Sequence, residues 1–188
     1  MGVVIATVVS ATLAVLLDRC ATGVGPTTMR AIVTYESGAR PYAIGDNTIR
    51  RSYFPIDRSS AIVLASSLLR AGHDIDVGYA QVNVRNFDAY GLDVTRALDP
   101  CTNVATGSRI LRAAYARAAR RFGPGQVALA HALSAYNSGG FYAGAAYARG
   151  VYATAANLRV ARREPATFVA RTNGAMRAVP FIAREDAR

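Results

Sequence analysis

Four stretches of this chain repeat apolar residues at intervals of three and four, and each is closed by glycine at Gly38, Gly72, Gly123 or the Gly139-Gly140 pair. That rhythm belongs to helices with one buried stripe, and glycine is the residue that most readily ends them. The first begins near Pro26, which suits a first helical turn, and its stripe is Met29, Ile32 and Val33. In the second, Ser59 or Ser60 caps an apolar run through Leu69. In the third, after Pro100, Val104, Ile110, Leu111, Ala114, Tyr115, Ala118 and Phe122 recur at helical spacing, with five arginines on the complementary, solvated face. The fourth spans Gln126 to Tyr136, and a fifth helix is predicted from Tyr142 to Leu158. Between them, Ala39 to Asp57 holds Pro41, Gly45 and Pro55 and reads as a loop with room for a short strand. His73 to Asn86 suits neither helix nor strand and reads as a structured loop. From Arg159 the rhythm fades and seven arginines face three acids, which predicts an extended basic tail. The expectation is a mainly α, compact domain over residues 1–158 with at most a short β element, followed by a tail over 159–188.

At 188 residues, with 52% hydrophobic and 18% charged, the chain has the apolar content for one folded core and too little charge for intrinsic disorder. Its net charge of +10 favours a polyanionic neighbour, and nucleic acid, anionic lipid and anionic cell wall all satisfy that. No nucleic-acid-binding motif accompanies the charge, so no nucleic acid partner is expected. Gly2 to Leu17 is almost wholly apolar and reads equally as the core of an export signal without a basic start or as a buried first helix. It is short for a membrane span, and no stable span is expected. Cys20 and Cys101 are neither in a CxxC spacing nor near a histidine cluster, so no metal site is expected. They form either one bridge, implying an oxidising compartment, or two reduced core thiols.

Glu36 is the one glutamate in residues 1–160, and no acid occurs between Cys101 and Arg163. Few carboxylates are therefore available for chemistry. Helical spacing puts Glu36 on the stripe of Met29, Ile32 and Val33, in the last turn of its helix. Burial and the free carbonyls of a helix end both disfavour the anion, so a raised pKa, suited to a general acid, is predicted. The alternative is a glutamate reaching solvent at the helix end, paired with Arg40.

Glu36-Ser37-Gly38, Gly78-Tyr79-Ala80-Gln81 and Ala135-Tyr136-Asn137 resemble, in order and approximate spacing, the three motifs of the lytic transglycosylases of the goose-type lysozyme-like superfamily. The likeness is strongest to the transglycosylases of type IV secretion systems. Pro41-Tyr42-Ala43-Ile44-Gly45, Asp76-Val77-Gly78, Gln81-Val82-Asn83, Pro100-Cys101-Thr102-Asn103 and Leu133-Ser134-Ala135 extend it over roughly residues 20 to 155. One departure is that Tyr79 and Ala80 stand where the second motif usually has leucine and methionine.

The resemblance implies a lysozyme-like helical domain with a catalytic cleft, a periplasmic location, and a bridge between Cys20 and Cys101. It implies peptidoglycan glycan strands as substrate and components of a type IV secretion apparatus as partners, with no cofactor. Glu36 would protonate the glycosidic oxygen between N-acetylmuramic acid and N-acetylglucosamine while the substrate's acetamido oxygen stabilises the oxocarbenium. It would then remove the proton from the muramyl C6 hydroxyl, giving a 1,6-anhydro end. Ser37 would orient the acetamido group or Glu36, Gly78 would belong to the substrate-binding set, Gln81 and Asn83 would bond sugar or support the site, and Tyr136 and Asn137 would line the cleft and hold Glu36. Each also has a purely structural reading: Ser37 as a helix-end cap, Gln81 and Asn83 as loop ties, Tyr136 as core. Two other functions stay open. A hydrolytic muramidase would use Asp74 or Asp76 as a second carboxylate, although both read better as loop caps. A non-catalytic wall-binding assembly factor would use the basic tail. His73 and His131 read as structural, and Tyr42, Tyr79, Tyr142 and Tyr147 as rings for sugar stacking or helix packing.

Overall fold

The computed structural model describes residues 12–162, 167–172 and 175–180. Helices dominate: α1 (residues 12–20), α2 (Pro26–Ser37), α3 (Arg58–Arg70), α4 (Phe87–Tyr90), α5 (Val94–Ala97), α6 (Pro100–Phe122), α7 (Gln126–Ser138) and α8 (Ala145–Arg162). The strands are β1 (Ile44–Asp46), β2 (Arg51–Tyr53), β3 (Ile75–Val77), β4 (Val82–Asn83), β5 (Thr167–Thr172) and β6 (Ala175–Pro180). The chain divides into two units, residues 1–20 with 36–107 and residues 21–35 with 108–188, so α2 and α6 each contribute to both.

The first unit contains an antiparallel sheet in the order β2-β1-β3-β4. Residues 39–57, read as a loop with room for a short strand, hold β1 and β2, whereas 73–86, expected as a structured loop without strands, is corrected to β3, a turn and β4. Strands of two or three residues are too short to display the two-residue alternation by which strands are recognised. Ile44, Asp46, Ile75, Val77 and Val82 point to the buried side, where α3 packs on β3. Gly45, Asp76 and Asn83 sit in register across the other, more open face. The start of α3 is also capped two or three positions before the expected Ser59 or Ser60. Asp57 is its cap, accepting from the Ser60 N–H at 2.8 Å, because a carboxylate reaches the free N–H groups of the first turn more strongly than a hydroxyl.

Asp46 is a buried acid in this unit. Its Oδ2 lies 2.7 Å from Nδ1 of His73, and its Oδ1 accepts the Thr48 N–H at 3.0 Å. Burial pushes its pKa up, but these bonds and the Ile49 N–H outweigh that and hold it below the usual carboxylate value. His73, read as structural, thus has a defined partner on β1. Cys20 and Cys101 are joined in a disulfide, which settles their two readings. The sulfurs close a loop of 81 positions, which stabilises by about 4 kcal/mol in the chain-entropy account.

The second unit gathers Met29, Ile32, Val33, Leu111, Leu129, Leu133 and Val151, all fully buried, around the packed pair α7 and α8. Gly139 ends α7 in the left-handed conformation, φ 75°, with its N–H donating to Ala135 O at 2.8 Å. His131 stacks on Phe122 with centroids 3.9 Å apart and its Nδ1 lies 2.8 Å from Phe141 O. The stretch expected as an extended tail holds instead the last turn of α8 and the hairpin β5–β6, whose Phe168 pairs with Val179. The N-terminal stretch is helical over 12–20, and residues 1–11, on which the export-signal reading leans, lie outside the described residues. Among the described residues no helix is long and apolar enough to cross a membrane.

Candidate active site

Glu36 occupies the last turn of α2, three residues beyond the fully buried Val33, and is partly exposed. The stripe of Met29, Ile32 and Val33 therefore opens toward solvent as it reaches Glu36. The expected place on the apolar stripe thus comes with partial shielding, because the helix ends one residue further on, at Ser37. Ser37 is buried; its Oγ donates to the Tyr79 carbonyl at 3.0 Å and accepts the Arg40 N–H at 3.3 Å. Arg40 also lays its guanidinium over the Phe54 ring, 4.5 Å from the centroid. The first of these bonds matters most, because it ties the residue after Glu36 directly to the second motif, 42 positions along the chain.

That second motif is a tight turn between β3 and β4. Gly78 has φ +79°, where a side chain is strained, and a Cβ there would come within 2.4 Å of Asn103 Nδ2. Asn103 is fully buried and spends every polar atom on this turn and its support. Its Oδ1 accepts the Ala80 N–H at 2.8 Å, and its Nδ2 donates to Val77 O and Ala97 O at 2.8 Å each. Gln81 also has positive φ, 45°, unusual for a residue other than glycine. Its Nε2 donates to Gly78 O at 2.8 Å and Ala43 O at 3.1 Å. Placing the amide nitrogen between two carbonyls fixes the side chain's orientation and leaves Oε1 as the outward acceptor.

Asn83 caps the short 3-10 turn Val84–Asn86 through the Arg85 N–H at 2.9 Å, and its Nδ2 donates to Asp74 Oδ1 at 2.7 Å. Asn83 is thus engaged structurally as well as lying on the open face. Asp74 also receives Arg85. Asp76, expected as a loop cap, is on strand β3 itself, where Oδ2 accepts Asn47 Nδ2 at 2.8 Å. Burial raises its carboxyl above the usual value, against the opposing bonds from Asn47 and Asn83. Tyr79, in the position that departs from the motif, is half-buried; burial raises its hydroxyl pKa and the neighbouring Tyr42 adds to the rise.

Tyr136 and Asn137 belong to the second unit, at the end of α7. The Tyr136 ring lies nearly parallel to Tyr147, 19° between planes and 6.2 Å between centroids, and Tyr147 meets Tyr35 edge-on at 5.3 Å. Gly150 makes room for this stack, since a Cβ there would lie 2.4 Å from the Tyr35 ring. Asn137 is exposed. Of the rings considered for sugar stacking, Tyr147 is buried and takes the packing role, while Tyr142 is 61% exposed.

The first unit thus ties Ser37, the residue after Glu36, to Tyr79 within the Gly78–Gln81 turn, with Asn83 on the adjoining strand. Sequence reasoning gave no role to Asn103, Gly45 or Tyr35. For Asn103 a signal existed: it shares the helical stripe of Gly107 and Leu111, and a polar residue on a buried stripe must find partners. Among the described residues no group of three or more His, Cys, Asp or Glu could hold a metal ion.

A single glutamate closing a helix, tethered through the next serine to a glycine–glutamine turn, fits what the family comparison finds. Residues 17–159 match the Transglycosylase SLT domain family, and the chain belongs to that family. It is 44% identical over 131 residues to the Type IV secretion system protein virB1 of Brucella abortus biovar 1, covering 69% of this chain and 55% of that protein. It is 37% identical over 142 residues to Protein virB1 of Agrobacterium fabrum, covering 74% of this chain and 58% of that protein. The chain therefore spans little more than half the length of these relatives. No solved structure matches it.

Proposed function

We propose that this chain is a lytic transglycosylase that cleaves peptidoglycan between N-acetylmuramic acid and N-acetylglucosamine, leaving 1,6-anhydromuramic acid. The observation that carries the reading is the Ser37 Oγ bond to the Tyr79 carbonyl at 3.0 Å, which links the glutamate motif to the glutamine turn within one unit. Glu36 donates its proton to the glycosidic oxygen as the bond breaks. The substrate's acetamido oxygen stabilises the oxocarbenium, and Glu36 then takes the proton of the muramyl C6 hydroxyl as that oxygen closes on the anomeric carbon. One carboxyl group acting twice suffices, and the proton balance closes without water or cofactor. Gln81 and Asn83 contact sugar from the sheet side, Ser37 and Gly78 keep the helix end and turn in place, and Tyr136 and Asn137 serve the substrate cleft.

We further propose that the chain opens the wall for a type IV secretion apparatus, with that apparatus's components as partners; the name of the Brucella relative, a Type IV secretion system protein, supports the secretion context. The disulfide supports a periplasmic location, since such bonds persist in oxidising compartments. The family match over 17–159 supports placing the catalytic part in residues 1–158, with 159–188 outside it.

The test is product analysis. Purified peptidoglycan digested by the protein should yield muropeptides with anhydro ends, seen by mass spectrometry as a deficit of one water against reducing ends. Reducing ends alone would make the enzyme a hydrolytic muramidase. Binding to sacculi with no cleavage would leave a wall-binding assembly factor.

A further inference from the structure

Charge is segregated along this chain. Residues 1–20 and 36–107, the first unit, carry eight arginines and nine acids, whereas residues 21–35 and 108–188, the second, carry fourteen arginines and three acids. Those three are Glu164, Glu185 and Asp186, so no described residue of the second unit is acidic. Near the end of α6, Arg117, Arg120 and Arg121 stand three and four residues apart and are all exposed. That spacing sets like charges on one helix face, where they repel. No carboxylate among the described residues pairs with them. Arg121 connects this cluster to an exposed ring, with its guanidinium carbon 5.4 Å from the Phe122 centroid and 5.9 Å from that of Tyr142. Tyr142 is held in place although 61% exposed: it meets His131 edge-on at 5.3 Å and Phe122 at 6.3 Å. Its loop is pinned by Ser134 Oγ, which donates to Gly140 O at 2.8 Å and accepts the Gly144 N–H at 2.9 Å. A fixed ring joined to a cluster of cations is pre-organised for a ligand that carries carboxylates and apolar surface side by side. The exposed α6 residues one turn earlier, Ala113 and Ala116, are too small to anchor in hydrocarbon, which disfavours a bilayer as that ligand.

We propose that Arg117, Arg120, Arg121 and Tyr142 form a docking surface for the peptide stems of peptidoglycan, whose carboxylates pair with the guanidinium groups while an alkyl stretch of the stem lies on the Tyr142 ring. The proposal rests on the peptidoglycan reading above and adds a hold on the peptide of the wall, separate from the glycan. Arginine suits the task because its planar fork grips a carboxylate through two parallel hydrogen bonds. With no acid among the described residues of this unit, the stem meets no competitor there for the cations.

The experiment measures Kd of the full chain for purified sacculi by co-sedimentation at low salt, with intact sacculi and with sacculi whose carboxyl groups have been amidated. Wild type is compared with the double variant Arg117→Gln/Arg120→Gln, which removes exposed, mutually repelling charges and should melt within a few degrees of wild type. On intact sacculi the double variant should bind about threefold to tenfold more weakly, as expected for two exposed ion pairs lost, and amidation should weaken the wild type more than the variant. Equal Kd values for wild type and variant on intact sacculi would overturn the proposal, as would undiminished binding of the wild type to amidated sacculi. If the variant instead loses binding to phosphatidylglycerol vesicles or to polyglutamate while keeping its hold on sacculi, the surface belongs to lipid or to an acidic protein and the stem assignment is overturned. Cleavage of peptide-free glycan strands is read separately and should be the same in both proteins. A wild type that cleaves no peptidoglycan would overturn the transglycosylase reading, while the binding comparison would still decide the docking surface.

Discussion

The glutamine turn and the tyrosine stack position candidate site residues by opposite physical means. Around Gly78 to Gln81 the backbone is held by directional bonds from Asn103 and Gln81, and two residues have positive φ. Around Tyr136 the restraint is ring packing, Tyr136 on Tyr147 and Tyr147 on Tyr35. Hydrogen-bonded knots fail sharply when one member is lost, because each buried partner left behind carries a full desolvation penalty. Apolar stacks fail gradually, in proportion to the contact removed. The two regions should therefore differ in how they respond to near-isosteric change.

The largest effect is expected at Asn103. Asn103→Ala strands two buried carbonyls and one N–H, a loss of about 4 kcal/mol, read as a fall in melting temperature of about 10 °C. Asn103→Asp should be nearly as damaging despite equal size, since it faces Val77 O and Ala97 O with a carboxylate in place of a donor. Tolerance of the aspartate would mean that shape, not bonding, holds the turn. Next comes Gly78→Ala, where left-handed strain adds to a clash with Asn103; about 3 kcal/mol is expected, with glycan cleavage falling because Gln81 shifts.

A smaller effect is expected in the stack. Tyr147→Leu keeps an apolar group in the buried site and loses the ring contacts, for about 1 to 2 kcal/mol in thermal or urea unfolding. A loss as large as that of Asn103→Ala would erase the contrast between the regions. Smallest is the pH response of Asp46 on β1. Its folded pKa is below the usual value, so its stabilisation is complete above the unfolded carboxylate pKa and is lost as pH falls through the folded one. The stability gap between wild type and Asp46→Asn should accordingly narrow as the solution is acidified below about pH 4. A gap that stays constant there would show that His73 and the Thr48 and Ile49 N–H groups do not favour the anion.

The same contrast explains what was legible in the sequence. The long helices were readable because period and punctuation coincide, as in Pro26 to Gly38 and Gln126 to Gly139. The sheet was not, because β1, β3 and β4 have three residues or fewer and include Gly45, Asp46 and Asp76, which score poorly as strand formers. These residues are fixed by partners distant in sequence, as Asp46 is by His73 and Gly45 by Gln81. Glu36, Ser37 and Gln81 could be picked out from ordered motifs, yet the bond from Ser37 to Tyr79 that joins two of them is a tertiary fact. The stack on Tyr136 was equally hidden, since nothing local couples Tyr35 to Tyr147.

Glu36 is the residue proposed to give and retake the proton. Wild type and Glu36→Gln, matched for melting temperature, should be compared for anhydro-muropeptide release from the same purified peptidoglycan. The glutamine variant should lose at least about a hundredfold in rate, the usual minimum for removing a general acid, while still binding the sacculi. Release within a fewfold of wild type would contradict the assignment and move the chemistry to another residue.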